Sequence, residues 1–382
     1  MNNPEIISVD NGRSTSRPER SAGFSAGVLS SEWATRPADQ RFTDVATLHE
    51  HNLRKRAASK ERGVALDHMR VRADDEGNML LMDPEKNSGA RLRHWSFGQL
   101  AQAVGAPAGY LRGIPAHVAQ IPLQYSLEQA REDRRLLVRN TEGTWHVDAI
   151  TSDTYGRIWD SELTGAIMQN LDLDTWKVPF HSRASTNTKR ATTLYASDRD
   201  CFVALVDDKN PIEVPGTNGT ETLFRGFYAR NSEVGSAALD IVAFLYRSIC
   251  DNRIIYGGSE VASIKIRHTS GGPMRYMREA RPTLQRYLTA KTDETVEMIQ
   301  AARTKEVGKS EKDVQAWLAK HGFTKSEARR AVELAGAEPG SNPRSLWGVV
   351  QGLTAQAHEC PFGDERLDLE RRASKLLDKV AA

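Results

Sequence analysis

The sequence predicts an α+β protein, an antiparallel sheet packed on helices with a helical C-terminal region. Three observations carry this. Residues 135–139 and 145–150 are strand-like runs around Asn140-Thr-Glu-Gly-Thr144, a hairpin turn signal. Four more β-like runs, at 176–180, 191–195, 201–206 and 222–228, are separated by turn-rich links. After Arg281-Pro282 the apolar residues recur at helical spacing to the end of the chain.

Taken in order, residues 1–45 are rich in Ser, Arg, Gly, Pro and Asn without periodicity. They read as a flexible arm that buries too little apolar area to offset its ordering entropy. Residues 46–134 read as a mostly helical region. It opens on a basic stretch with Arg54, Lys55, Arg56, Lys60 and Arg62, for which a solvated helical face is the simpler explanation. Residues 79–82 form a short strand. A helix over 95–105 is stopped by Gly105, with Ser96 as its N-cap, and a second helix opens near Pro107. The pair superficially resembles a DNA-reading helix-turn-helix. Only Arg112 lies near the start of the second helix, so a helical hairpin packed on a larger domain is favoured.

Residues 135–290 form the expected α+β core. Within it, residues 158–171 are helical, and a helix capped by Ser232 is expected to carry Val234, Ala237, Ala238, Ile241, Val242, Leu245, Tyr246 and Ile249 as an apolar stripe over the sheet. Glu233 would favour that helix's positive end. Residues 291–382 form the helical C-terminal region: a hairpin over 309–334 turning at His321-Gly322-Phe323, a helix over 347–358 and a charged helix over 363–380.

Composition excludes several classes. The three cysteines, Cys201, Cys250 and Cys360, are far apart and odd in number, which is no disulfide framework and implies a reducing cytoplasm. The first residues lack the basic start and apolar core of a signal peptide, and no run approaches a membrane span, so a soluble cytoplasmic protein with no membrane partner is expected. A net charge of +2 means that any nucleic-acid surface must arise from local segregation of charge.

Such segregation is present. Arg225, Arg230, Lys265, Arg267, Arg275, Arg278, Arg281 and Arg286 are near one another in sequence, and Glu279 is the only acidic residue between 261 and 290. Phe227, Tyr228, Tyr276 and Tyr287 are interleaved with them. Cations along a backbone with aromatic faces for bases is the chemistry of single-strand recognition. A second basic stretch, Lys177, Arg183, Lys189 and Arg190, surrounds Ser185-Thr-Asn-Thr188, a hairpin tip able to grip phosphates. The competing explanation is solvated loop charges and core aromatics. Lys265 and Arg267, two apart, should share the outward face of one strand while Ile264 and Ile266 face inward.

Catalytic signals are weak. The pairs His358/Cys360 and His49/His51 gain no partner at zinc-site spacing. Asp207/Asp208 and Asp148/Asp153 are carboxylates of a kind that hold magnesium in nucleases, but such pairs are common at strand ends and turns. No glycine pattern matches a dinucleotide or phosphate loop, so no cofactor and no metal are expected, and a binding protein is favoured over an enzyme.

Four segments carry a family resemblance: Gln99-Leu-Ala-Gln-Ala-Val-Gly-Ala-Pro-Ala-Gly-Tyr-Leu111; Ser152-Asp-Thr-Tyr155; Asn231-Ser-Glu-Val-Gly235 with Arg247, Cys250 and Asn252; and Glu370-Arg-Arg-Ala-Ser-Lys-Leu-Leu377. Over about 70–380 the chain resembles the phage/plasmid-like proteins of unknown function. The resemblance implies a mobile-element setting and no particular mechanism. A sheet under one long helix with basic arms is also similar, at the level of fold alone, to the phage single-strand annealing proteins.

The expected function is ATP-independent binding of single-stranded DNA, with annealing or recombination for a phage or plasmid, and with a homo-oligomer as a natural state. Arg225, Arg230, Lys265, Arg267, His268, Arg275 and Arg278 would contact phosphate, with Tyr228 or Tyr276 stacking on bases and the 177–190 arm assisting. The alternative is a protein-binding module that inhibits or adapts a host defence or replication complex; a metal-dependent nuclease ranks third.

Overall fold

The computed structural model of the protein describes residues 37–85, 88–179, 192–216, 219–247, 253–255, 263–289, 293–337, 341–360 and 363–377. It is an α+β fold with two sheets. Helix α1 (Val45–Ala57) is capped by Asp44, which accepts from the Thr47 amide, and precedes a six-stranded sheet. That sheet comprises β1 (Ser59–Ala65), β2 (Arg70–Ala73), β3 (Met79–Asp83), β4 (Ser88–Leu92), β5 (Asp133–Thr141) and β6 (Thr144–Ser152), in the order β1-β5-β6-β4-β3-β2. The β5–β6 hairpin turns at Glu142 and Gly143, both at positive φ, as the turn signal requires. Residues 46–134, expected to be mostly helical, thus also contribute four strands.

Helices α2 (His94–Ala103), α3 (Ala108–Arg112) and α4 (Ala116–Gln129) pack on this sheet through Phe97, Leu100, Leu111, Leu123 and Leu127, all buried with Leu66, Leu81 and Leu136. They form a packed helical layer, as the simpler reading of the helix-turn-helix lookalike held. Gly105 ends α2 with φ of 69°. Ser96 is not the N-cap. It lies inside the first turn, and its hydroxyl donates to the Val147 carbonyl on β6. Helix α4 also protects a free strand: Gln124 and Gln120 accept from the Val71 and Ala73 amides of β2, at 2.9 and 2.8 Å.

The second sheet follows α5 (Asp160–Asn170). Its path is β13 (Arg253–Ile255), β12 (Leu239–Arg247), β11 (Gly219–Asn231), β9 (Cys201–Asp207) and β7 (Trp176–Lys177). Strands β8 (Leu194–Ala196), β10 (Ile212–Gly216) and β14 (Ser263–Ile266) pair with β9, β11 and β12, and every pairing is antiparallel.

The expected helix after Ser232 is a strand. Residues 239–247 pair along β11 from Arg230↔Asp240 to Leu223↔Arg247. Both of its faces are buried: Ile241 and Ala243 join one core with Leu163, Ile167 and Leu284, whereas Val242, Phe244 and Tyr246 pack with Tyr195, Phe202 and Tyr228 on the other. A strand covered on both sides shows no apolar–polar alternation, and its continuous run accidentally satisfied the helical template. The β-branched and aromatic content, Ile241-Val242-Ala243-Phe244, was the better guide. The likeness to annealing proteins loses the long covering helix on which it rested.

After β14 come α6 (Gly272–Arg275), a π turn (Tyr276–Ala280), α7 (Arg281–Thr289), α8 (Asp293–Thr304), α9 (Glu311–Lys320), α10 (Lys325–Ala337), α11 (Leu346–Ala357) and α12 (Gly363–Ser374). Helices α9 and α10 form the expected hairpin around Gly322, and Ser310 and Asp313 close a reciprocal capping box on α9. Ile299, Leu318, Trp347 and Leu353 bury against Ile212, Val214, Leu223 and Leu245 of the second sheet. No helix among the described residues is long and apolar enough to cross a membrane.

Ile241 is 8% exposed in the core of the second sheet. Ile241→Ala should therefore cost about 2–5 kcal/mol, read as a shifted urea-unfolding midpoint with an unchanged slope. A midpoint like that of the wild type would remove β12 from the core.

Candidate functional site

Three of the four segments singled out in the sequence converge where the two sheets meet. Gln99 on α2 accepts from the Ile150 amide of β6 and donates to the Val234 carbonyl, at 2.9 Å each. Trp95 donates to the same carbonyl at 3.0 Å, and the Tyr155 hydroxyl donates to the Ser232 carbonyl at 3.0 Å. Asn231-Ser-Glu-Val-Gly235 is therefore the loop that joins β11 to β12 and clasps the first sheet. Ser232 does not cap a helix. Its hydroxyl donates to the Arg199 carbonyl and accepts from the Val234 and Ser236 amides.

Beneath the loop lies a buried ion network. Lys55 of α1 reaches Asp160 at 3.0 Å and Glu233 at 3.3 Å. Arg139 of β5 reaches Glu233 at 3.0 Å and also pairs with Asp148 of β6, which Arg93 holds at 2.8 Å. Asn231 donates to Asp160 and to the Ile158 carbonyl, both at 2.8 Å. Glu233 does sit at a helix's positive end, but the helix is α5: its carboxylate accepts from the Asp160 amide at 3.0 Å.

Burial would raise Glu233, but Lys55, Arg139 and the Asp160 amide outweigh it and hold the carboxyl below its ordinary range. Burial and the neighbouring Glu233 charge push Asp160 up to about 6. Burial would lower Lys55, yet Glu233 and Asp160 raise it instead. The side chains of Asp160 and Glu233 are fully covered, so the network ties the sheets together and neither of these carboxylates reaches the surface.

The predicted contact residues divide sharply. Lys265 and Arg267 are exposed while Ile266 is buried, the alternation the strand period required. Arg278 is exposed on the π turn. Among the described residues no carboxylate pairs with any of these three. Met274 and Met277 lie in the same segment, each 60% exposed. Arg275 is exposed too but is engaged by Glu279 at 2.8 Å.

The other members are already occupied. Arg225 and Arg230 on β11 are half-buried and pair with Asp207 at 3.7 Å and Asp200 at 3.4 Å. Lys177 pairs with Asp174 at 3.7 Å. His268 stacks on Tyr155 with ring centroids 5.0 Å apart and its Nδ1 lies 3.2 Å from the Gly156 carbonyl; burial pulls its pKa down to about 4, so it is neutral at pH 7 and no phosphate cation.

Tyr228 and Tyr276 present no ring to a base. Tyr228 is stacked against Phe202 inside the core, and Tyr276 is 3% exposed with its hydroxyl donating to the Glu162 carbonyl. Phe227 and Tyr287 are buried as well, so all four interleaved aromatics are core. Arg183, Lys189 and Arg190 lie outside the described residues, as does Cys250.

An open cleft of about 520 Å³ on the β1–β5 face is lined by Arg62, Arg134 and Arg135 and by Glu61, Asp133 and Asp153. Its arginines pair with Asp83, Glu132 and Glu61, so it is charge-balanced and unlike a polyanion groove. Asp207 accepts from Asn210 as well as pairing with Arg225. Among the described residues no three His, Cys, Asp or Glu side chains are grouped for a metal ion.

The class defined by this fold is a two-sheet α+β protein with a buried ionic junction and a basic sheet edge. Residues 180–358 match a domain of unknown function (DUF932), a span covering the second sheet from β8 onward and the helices through α11. No curated protein and no solved structure matches the chain.

Glu233→Gln leaves Lys55 and Arg139 short of a buried counter-charge, and should destabilise the fold by about 3–5 kcal/mol in denaturant titrations. The pH response of His268 has a definite sign. Its folded pKa lies below the unfolded 6.5, so the stability it permits is complete above pH 6.5 and is lost as pH falls toward 4. His268→Phe should flatten the melting temperature across that interval; an unchanged pH slope would show that His268 does not titrate there.

Proposed function

We propose that the protein binds single-stranded DNA without ATP, in the service of a phage or plasmid, through the edge formed by β14 and the helical segment after it. The observation that carries this is the set of three exposed cations, Lys265, Arg267 and Arg278, with which no carboxylate among the described residues pairs, in company with the exposed Met274 and Met277. Unpaired cations give up only hydration and counterions when they meet phosphate, and that counterion release drives association. Arg225, Arg230, Arg275 and Lys177 would first have to leave an existing carboxylate, so they add less. Contact with bases falls to the methionines, because the predicted tyrosines are core. Annealing of complementary strands is the activity such a surface would serve, and a homo-oligomer would place several edges along one strand.

A second reading has its own observation. Val118, Ile121 and Tyr125 lie along one face of α4, with Tyr110 of α3, at exposures of 42%, 70%, 68% and 65%. An apolar face of this kind fits a protein partner, the expectation of an adaptor or inhibitor of a host complex.

Fluorescence anisotropy with single- and double-stranded oligonucleotides at two salt concentrations separates the readings. Single-strand affinity should fall as salt rises, by roughly 0.7 in log–log slope for each phosphate contact. Lys265→Glu with Arg267→Glu should abolish binding and leave the melting temperature unchanged, because exposed charges contribute little to folding. No binding at low salt, or full affinity in the folded double variant, would overturn the proposal.

A further inference from the structure

We propose that Arg112 and Arg199, arranged around His94, form a second site that takes a phosphate group of a nucleotide, distinct from the β14 edge. The three residues come from separate parts of the chain: His94 opens α2, Arg112 closes α3 and Arg199 lies in the turn between β8 and β9. Arg112 Nη2 donates to the His94 carbonyl at 2.8 Å, and Arg199 Nη2 lies 3.3 Å from His94 Nδ1. Each guanidinium is braced by a ring, Arg112 over Phe97 and Arg199 over Trp95, both at 5.3 Å. Gly98 makes room for this: a Cβ there would lie 2.9 Å from Arg112 Nη2.

Among the described residues neither guanidinium has a carboxylate within ion-pair distance, and the buried Nε of each has no acceptor. Asp198 is next to Arg199 in sequence and its field reaches that charge, but it forms no ion pair with it. Bringing two arginines together without a counter-ion is unfavourable unless an anion joins them. The histidine adds a donor. A guanidinium can only donate, so His94 Nδ1 accepts and the ring proton sits on Nε2. Burial, followed by the two arginine charges, holds the His94 pKa below its ordinary value, so the ring is neutral. The guanidinium N–H groups not committed to His94 and one imidazole N–H suit the oxygens of a phosphate, and a guanidinium over an indole extends a surface on which a base can stack.

The source of that phosphate rests on the single-strand reading, and the chemistry of the site does not. Wild-type protein and the pair Arg112→Gln with Arg199→Gln are titrated with a labelled oligothymidylate by anisotropy and with thymidine monophosphate and inorganic phosphate by calorimetry. Arg72→Gln, at an exposed arginine of β2, is the control for loss of charge alone. The expected result is an oligonucleotide Kd raised at least about tenfold in the arginine pair, with a salt slope lower by about 1.4, and neither change in the control. If the oligonucleotide fails to bind wild type while the monophosphate or phosphate binds and is lost in the pair, the site stands and the strand reading falls. Wild-type affinity for all three ligands in the folded pair, or equal losses in the control, overturns the site. Should the pair fail to fold, single Arg199→Gln is read by the same criteria, because Arg199 is held by its backbone carbonyl to Ser232 and Ser236 whatever its side chain.

Discussion

The constraint on which the rest of the structure depends is the balance of six charges between the sheets: Lys55, Arg93 and Arg139 against Asp148, Asp160 and Glu233. Removing such groups from water costs several kcal/mol each, and only their mutual pairing offsets it. Neither sheet can supply the set alone. The first brings Arg93, Arg139 and Asp148, the second brings the loop with Glu233, and α1 and α5 bring Lys55 and Asp160. The sheets therefore dock in one register, since a shift of a few ångströms would strand a buried charge. Apolar packing makes the junction stable; the ions make it specific.

That junction was partly legible beforehand. The segments that meet there stood out in the sequence, but their partners could not be read. Arg139 and Glu233 are 94 residues apart, and no local spacing announces such a pair. Local signals succeeded where a local cause was sufficient. The Glu142-Gly143 turn fixed the β5–β6 hairpin, Gly105 ended α2, and the Lys265/Arg267 alternation followed from strand geometry. They failed where the cause was tertiary. Layers on both sides of β12 erased its alternation, so Val242 and Leu245 were credited to a helix. Residue type could not say whether Tyr228 and Tyr276 would be core or surface. Arg112 was noted alone, and its association with His94 and Arg199 could not be read because the relevant separations are 18 and 105 residues.

A nearly neutral chain acquires a basic surface by subtraction. Lys265, Arg267 and Arg278 are conspicuous because no carboxylate among the described residues pairs with them, whereas the cleft beside β1 has as many cations and is electrically quiet. Counting cations along the sequence cannot separate these cases. The useful quantity is the number left over after pairing, and that exists only in three dimensions.

The glutamines of α4 have a consequence for assembly. An outer strand normally offers a row of amides and carbonyls to any extended chain that drifts past. On β2 the Val71 and Ala73 amides are already taken by Gln124 and Gln120. A newcomer would have to evict two side chains anchored on a packed helix before making its first ladder bond. Strand-by-strand growth is thus blocked at that margin of the first sheet, and copies that associate side by side must do so elsewhere.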